Sequence, residues 1–259
     1  MTFYRFAVLG SPVKHSRSPE LHAAMLESAG LDGEYLAIEA DDRTLAGAVV
    51  GLREGRWHGL NITMPLKREA AKLADSLAER AARAGSVNTL SLRDGMVHGD
   101  TTDSVAFSEI LDTSRFREGT TALILGAGGA AAAALTAIPP RMNVYLAARR
   151  TDRAAVLVRR MGGEAVSWGT PVAGAIVINT TPLGMHGESL PEGVLKTGSG
   201  LIDLPYGRAK TPAVVAAEQT GIPYADGHEF LLRQAIASFA SWTGESIELS
   251  ELQQALRKL

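Results

Sequence analysis

A buried strand, a glycine turn and an alanine-rich helix follow one another directly near the middle of the chain. The apolar run of residues 121–125 leads into Gly126-Ala127-Gly128-Gly129-Ala130 and then into further alanines. Glycine allows a sharp turn and the close approach of another group to the backbone. This order is typical of the first strand-to-helix turn of a doubly wound α/β sheet, where a helix N-terminus faces a pyrophosphate. The alternative is an ordinary tight turn.

Arginines follow the next predicted strand, at the position where the residue type distinguishes NAD-binding from NADP-binding units. About twenty residues beyond the glycines, an NAD-binding unit carries an acidic residue that binds the ribose hydroxyl. This chain has Arg149 and Arg150 there, with Arg153 close behind. Cations at this place suit the 2′-phosphate of NADP, although they would also suit a solvated helix start. We predict that Gly126, Ala127, Gly128, Gly129 and Ala130 bind NADP(H) together with the three arginines.

Composition excludes several other classes of protein. The 259 residues carry a formal charge of −2, which gives no reason to expect nucleic acid or an acidic membrane surface as a partner. The absence of cysteine rules out disulfides, thiolate metal sites and a cysteine nucleophile, and we predict no metal site. We find no signal peptide, and no apolar run reaches membrane-spanning length. A cytoplasmic protein is the expectation.

Strands alternate with helices along the whole chain, which predicts an α/β fold with largely parallel sheets. In the first part we predict strands at 6–9, 35–38, 59–63, 87–92 and 96–98, and helices at 19–29, 44–52 and 65–84. Ser18 is the expected N-cap of the first helix, and a break is expected near Asp75. In the second part we predict strands at 121–125, 143–147, 176–179, 200–204 and 222–224. One of its helices is expected to end at 138, and the next is expected to begin at 152. Three further helices are expected at 212–220, 228–242 and 250–258.

Three polar clusters precede the glycine turn, each beside a predicted strand end, where open α/β sheets place their ligands. The first contains Ser16 and Ser18, whose hydroxyls suit an anion or a simple capping turn. The second is 61–67, where Lys67 is expected in the first turn of the next helix; a lysine there opposes the helix dipole, so its placement needs another reason. The third joins 85–89 to 99–103 and supplies an amide and two carboxylates.

Eight segments, in order across nearly the whole chain, together resemble the shikimate dehydrogenase family. They are Ser16-Arg17-Ser18-Pro19, 61–67, 87–89, 99–100 with 102–103, 126–130, 179–185, 203–206 with 211–212, and 225–227 followed by Gln234-Ala235. The resemblance implies reversible reduction of 3-dehydroshikimate to shikimate with NADPH, on the route to aromatic amino acids. It also implies two α/β domains. The expected substrate domain is 1–103 completed by the C-terminal helices 228–259, and the expected Rossmann-like NADP domain is 104–227.

The resemblance also assigns roles to residues. It makes Lys67 the acid/base residue and Asp103 its partner. Substrate contacts are implied for Ser16, Ser18, Asn61, Thr63, Asn88, Tyr206 and Gln234. Further cofactor contacts are implied for Thr180, Met185, Leu204 and Gly227.

Two alternatives stay open from the sequence. One is a relative that also acts on quinate, usually with NAD, and the missing acidic residue argues against it. The other is an NADP-binding regulatory protein without catalysis, which would have no need for Lys67 and Asp103. The expected partners are small molecules, shikimate and 3-dehydroshikimate, and the assembly is a monomer or homodimer.

Overall fold

The chain forms two compact α/β units in the computed structural model, which describes residues 2–256. Contacts divide it into Met1–Val105 with Leu231–Leu259, and Ala106–Phe230. The sequence placed these divisions after 103 and after 227, two and three residues earlier. The α/β fold class is confirmed.

The first unit is built on a six-stranded sheet in the order β2-β1-β3-β5-β6-β4. Its elements are β1 Tyr4–Gly10, α1 Ser18–Ser28, β2 Gly33–Glu39, α2 Asp42–Arg53, β3 Gly59–Ile62, α3 Lys67–Leu73, β4 Ser76–Leu77, α4 Glu79–Ala84, β5 Thr89–Arg93, β6 Met96–Asp100 and α5 Thr102–Leu111. The strands β1, β2 and β3 run parallel, whereas β5 is antiparallel to both β3 and β6.

The direction of β5 decides which residues meet at the functional edge of this sheet. Asp94 and Gly95 connect β5 to β6 with φ of 50° and 76°, the left-handed pair that a two-residue hairpin turn requires. Because β5 runs backwards, its first residues lie at the edge where β1, β3 and β6 end. Asn88, immediately before β5, therefore reaches the same edge as Lys67 and Asp103.

The C-terminal helices complete the first unit. They are α9 Gly227–Thr243 and α10 Leu249–Leu256. Trp242 of α9 stacks on Phe6 with ring centroids 4.8 Å apart, and its indole N–H donates to the carbonyl of Leu90 at 3.1 Å. A Cβ on Gly59 would lie 2.3 Å from the Trp242 ring, so only glycine lets the helix pack this closely on β3. This packing fixes the height of α9 above the sheet.

The second unit has an entirely parallel sheet in the order β12-β11-β10-β7-β8-β9. Its elements are β7 Thr121–Leu125, α6 Gly129–Ala137, β8 Asn143–Ala147, α7 Thr151–Met161, β9 Glu164–Val166, β10 Ile176–Asn179, β11 Gly200–Asp203, α8 Pro212–Thr220 and β12 Tyr224–Ala225. Counted within the unit, the strands stand in the order 6-5-4-1-2-3, that of the Rossmann fold. Its topological switch point lies between β7 and β10, beside the glycine turn.

Some local predictions were wrong. Ser18 is the first residue of α1 rather than its cap, and no side chain caps this helix; instead the Ser16 hydroxyl accepts from the Ser18 N–H at 3.3 Å. The helix predicted at 65–84 is α3, β4 and α4. The elements α5 and β9 were not predicted, and the predicted end of the last helix at 258 lies outside the described residues. Within 2–256, no helix is both long and apolar enough to cross a membrane.

His22 is fully buried in the core of the first unit, and neither of its ring nitrogens has a hydrogen-bond partner among the described residues. Its ring stacks on Tyr35 at 4.1 Å between centroids, with Phe239 and Trp242 nearby. Burial lowers the pKa of His22 from 6.5 to about 3. The ring therefore stays neutral in the fold, while it protonates near pH 6.5 in the unfolded chain.

This difference predicts a pH dependence of stability. The contribution of His22 is complete above pH 6.5 and is lost progressively as the pH falls toward 3, because only the unfolded chain takes up the proton. Between pH 7 and pH 5 we expect the free energy of unfolding of the wild-type protein to fall by about 2 kcal/mol more than that of His22→Phe. Urea titrations of both proteins at each pH measure this, and parallel pH profiles would contradict it.

Candidate active site

An ion pair lies at the edge of the first sheet. Lys67 is the first residue of α3, shortly after β3, and Asp103 lies in the first turn of α5, after β6. The Lys67 ammonium donates to Oδ2 of Asp103, and their side chains are 17% and 7% exposed. The pair brings together an ammonium that can exchange a proton and a carboxylate that holds it in place.

Asn88 fixes the other oxygen of this carboxylate. Its Oδ1 accepts from the backbone N–H of Thr102 at 2.7 Å, and a backbone N–H can only donate, so the orientation of the amide is determined. Its Nδ2 then donates to Oδ1 of Asp103 at 2.8 Å and to the Thr102 hydroxyl at 3.0 Å. Both oxygens of Asp103 are therefore held from opposite sides.

Asn61 occupies the interior of β3 and is 5% exposed. Its Oδ1 accepts from the Tyr35 hydroxyl at 2.8 Å, and its Nδ2 lies 3.1 Å from the Asn88 carbonyl and 2.9 Å from the Ser238 hydroxyl. The carboxamide thus links β2, the segment before β5, and α9. Its predicted contact with substrate stays a prediction.

The other predicted substrate residues lie around this edge without bonding to the pair. Ser16 and Ser18 are on the segment after β1. Thr63 follows β3 and lies so close to Gly10, at the end of β1, that a Cβ there would be 2.2 Å from its methyl group. Gln234 is on α9, where its Nε2 donates to the Leu231 carbonyl at 3.0 Å. The first unit therefore brings Lys67, Asp103, Asn88 and Asn61 into one hydrogen-bonded group, with these four side chains outside it.

Sequence reasoning missed four hydroxyls that complete the group: those of Tyr35, Thr89, Thr102 and Ser238. All four residues are buried. Thr89 and Thr102 lay inside segments already singled out, so the polar run at a strand end was the available signal. Tyr35 and Ser238 look like ordinary members of a strand and a helix, and no local pattern reveals them.

The second unit carries the glycine turn at the end of β7. Gly126 has φ of +117°, and a Cβ there would lie 2.4 Å from the Thr180 hydroxyl oxygen, which donates to the Leu125 carbonyl at 2.7 Å. Apart from its two chain neighbours, no atom of residues 2–256 lies within 4 Å of the Cβ position of Gly128, the residue before α6. The turn is therefore packed on one side by Thr180 and open on the other, which fits a pyrophosphate at the N-terminus of α6.

A buried carboxylate organises the loops beside this turn. Asp203, at the end of β11, accepts from Asn179 Nδ2 at 2.7 Å and from the Thr211 hydroxyl. Burial raises the pKa of Asp203. Asn179 also donates to the Leu183 carbonyl at 3.0 Å, so the loop that contains Thr180 is tied to β11.

The remaining predicted cofactor residues lie in the same unit. A Cβ on Gly227 would be 2.3 Å from the carbonyl oxygen of Leu204, so these two backbones touch. Met185 is half exposed. Tyr206, which is predicted to bind substrate, belongs to the second unit. Its ring lies 5.5 Å from the His228 ring, measured between centroids.

The three arginines flank the start of α7. Arg149 and Arg150 follow β8, and Arg153 lies in the first turn of α7. All three are exposed, and Arg150 pairs with Asp152 at 3.1 Å. Their guanidinium groups are therefore at the surface beside the end of β8.

The chain is similar to known proteins over nearly its full length. Residues 8–90 match the family model described as the shikimate dehydrogenase substrate binding domain. The NADP(+) shikimate dehydrogenase of Anaeromyxobacter sp. (strain Fw109-5) is 37% identical, covering 93% of this chain and 91% of that protein. That of Methylobacillus flagellatus is 36% identical, covering 98% of each. The structure of shikimate 5-dehydrogenase from Thermus thermophilus, in complex with NADP(H) and shikimate, has a TM-score of 0.89 and 32% identity, covering 99% of each chain.

A Rossmann-type unit with a glycine turn, combined with a unit that holds a lysine–carboxylate pair, defines a dinucleotide-dependent oxidoreductase of the two-unit α/β class. The sequence identity to two shikimate dehydrogenases, over nearly the full length of the chain, shows which family within this class the chain is part of. The chain belongs to the shikimate dehydrogenase family. The resemblance inferred from the eight segments is confirmed.

The glycine turn gives a second prediction. Gly126→Ala forces a side chain into positive φ and against Thr180, so we expect a loss of about 1–3 kcal/mol in the free energy of unfolding. Gly128→Ala is the matched control, because its φ is −94° and its Cβ position is open. That variant should lose less than about 1 kcal/mol, the cost of alanine at an N-cap. Equal losses in chemical denaturation would show that the Gly126 conformation is not under strain.

Proposed function

We propose that this protein is an NADP-dependent dehydrogenase that reversibly reduces 3-dehydroshikimate to shikimate. The observation that carries the proposal is the ion pair of Lys67 with Asp103, held by Asn88 at the sheet edge of a family member. A carbonyl reduction needs a proton donor for the oxygen that becomes a hydroxyl, and a lysine ammonium held in place by a carboxylate fits that need.

The roles of the two residues follow from this geometry. When bound, NADPH supplies the hydride that reduces the carbonyl carbon. Lys67 gives its proton to the carbonyl oxygen, and in the oxidative direction its amine takes the proton back. Asp103 holds the ammonium through Oδ2 and, together with Asn88, contacts the neighbouring substrate hydroxyls.

Polar neutral side chains are proposed to bind the rest of the substrate. The hydroxyls of Ser16, Ser18, Thr63 and Tyr206 bind the carboxylate and its surroundings. The amides of Asn61, Asn88 and Gln234 complete the lining. Neutral donors suit a small anion that must also leave, because each hydrogen bond to a charged group contributes only about 1.5–3 kcal/mol net.

The cofactor is NADP(H), and the fit rests on the open side of the glycine turn at Gly128 and on the exposed arginines. The residues 126–130 bind the pyrophosphate, and Arg149, Arg150 and Arg153 bind the 2′-phosphate. Leu204 and Gly227 touch the nicotinamide end through their backbones, with Met185 nearby, and Thr180 binds the cofactor beside the glycine turn. A cytoplasmic location and a monomeric or homodimeric state stay predictions.

The proposal is tested by initial rates of shikimate oxidation with wild-type protein and Lys67→Ala. We expect fast turnover with shikimate and NADP, and a fall of roughly 10²–10⁴-fold in kcat for the variant, the usual contribution of a general acid/base. Substrate affinity should change much less. The rise in nicotinamide absorbance measures turnover.

Lys72→Ala is the control, since Lys72 is an exposed lysine on the same helix that pairs with Glu69. It should keep wild-type turnover. Oxidation of quinate with NAD would move the assignment to the broader relative, and tight NADP binding without turnover would indicate a regulatory protein. A Lys67→Ala variant with most of its turnover would remove Lys67 from the mechanism.

The arginines predict the cofactor preference. Arg149→Ala removes one charge-assisted contact to the 2′-phosphate, so we expect the KM for NADP to rise roughly 10-fold and the KM for NAD to stay constant. Arg159→Ala, in the last turn of α7, is the control with the same loss of charge. A rise in both KM values, or none in either, would place the phosphate elsewhere.

A further inference from the structure

A buried hydroxyl on α9 touches the group that holds Asp103. Ser238 is fully buried, and its oxygen lies 3.1 Å from the hydroxyls of both Thr89 and Thr102 and 2.9 Å from Asn61 Nδ2. Its own proton goes to the Gln234 carbonyl at 2.9 Å. The three partners outside the helix come from β3, β5 and α5, so Ser238 connects α9 to all of them.

Assigning each hydroxyl and amide proton to an acceptor shows which groups donate to the Ser238 oxygen. Asn88 Oδ1 accepts the Thr102 N–H, and Asn88 Nδ2 donates to the Thr102 hydroxyl and to Asp103. The Thr102 hydroxyl proton then goes to Ser238, and the Thr89 proton goes to Asn88 Oδ1 at 3.1 Å. In this arrangement every donor has an acceptor, and Ser238 accepts from both Asn61 and Thr102.

Removing the Ser238 oxygen would leave the Thr102 proton without this acceptor. Two oxygens remain within reach at 3.2 Å: Asn88 Oδ1, which already accepts from the Thr102 N–H and from Thr89, and the Thr89 hydroxyl, which already lies 3.2 Å from Asn61 Nδ2. Both acceptors bear on Asn88, the first directly and the second because Thr89 donates to Asn88 Oδ1, so the Asn88 amide, whose Nδ2 positions Asp103, would turn. A buried polar network with one member missing relaxes in this way because an unpaired donor is costly.

We propose that Ser238 is a positioning residue for the reaction, acting on Asp103 through Thr102 and Asn88. It does not touch substrate, and its role rests on the proposed function. Through Ser238, the docking of α9 on the sheet is linked to the geometry of the Lys67–Asp103 pair.

The test compares Ser238→Ala with Ser241→Ala, the same substitution three residues along the same helix, where the serine is only half-buried. We expect kcat for shikimate oxidation to fall about fivefold to tenfold in Ser238→Ala, with the KM for NADP unchanged, and both constants to stay at wild-type values in Ser241→Ala. In the Asp103→Asn background, Ser238→Ala should have less than a twofold further effect, because the group it positions is already altered. An equal effect in both backgrounds would make Ser238 a general structural residue and overturn the proposal.

A second measurement does not depend on turnover. In Ser238→Ala the side-chain amide resonances of Asn88, read by 1H–15N NMR of the protein alone, should shift or broaden, and in Ser241→Ala they should not. Unchanged Asn88 resonances would overturn the proposal even if the wild-type enzyme is fully active. A wild-type protein that fails to oxidise shikimate while these resonances respond would refute the proposed function and leave the positioning role intact.

Discussion

The first unit has to bring the side chains of Lys67 and Asp103 together, because each charge stabilises the other. An ammonium with little exposure loses much of its hydration, and an unpaired charge in that position would cost several kcal/mol. Lys67 also begins a helix, where a positive charge opposes the dipole, whereas Asp103 is in the first turn of α5, where a negative charge is favoured. Asp103 thus stabilises a lysine in a place that its own helix disfavours. The edge of the sheet must bring these two helix starts together.

The antiparallel strand β5 allows the sheet to bring these residues together. With β5 parallel, its first residue would lie at the opposite edge, more than a strand length from Lys67. The left-handed turn at Asp94 and Gly95 reverses the chain, and Asn88 then stands between the end of β3 and the start of α5. The antiparallel direction of one strand is therefore part of the site, since the amide that holds Asp103 depends on it.

Local patterns predicted much of the fold. The strands of the second unit were predicted closely because buried parallel strands form continuous apolar runs, and 121–125, 143–147 and 176–179 agree with the structure at both ends. The start of α5 was missed because Thr101, Thr102 and Asp103 form a polar run that favours a loop. Ser18 was misplaced because Pro19 was expected at the first helical position, the usual place for proline, and it is the second residue of α1. Asn88 was expected as the second residue of a strand over 87–92, and it lies immediately before β5, which begins at Thr89.

Each unit contains a buried aspartate that accepts a hydrogen bond from an asparagine, and the other partners of the two aspartates differ. In each unit an asparagine donates to an aspartate across the sheet edge, Asn88 to Asp103 and Asn179 to Asp203. Asp103 has a lysine on its second oxygen, so its charge is matched by that of the ammonium. Asp203 has only the Thr211 hydroxyl there among the described residues, and burial raises its pKa. Its hydrogen bonds tie together the loops after β10 and β11, so the second unit uses its carboxylate to hold these two loops in place. Neither pairing follows from sequence spacing, because each depends on which strands become neighbours.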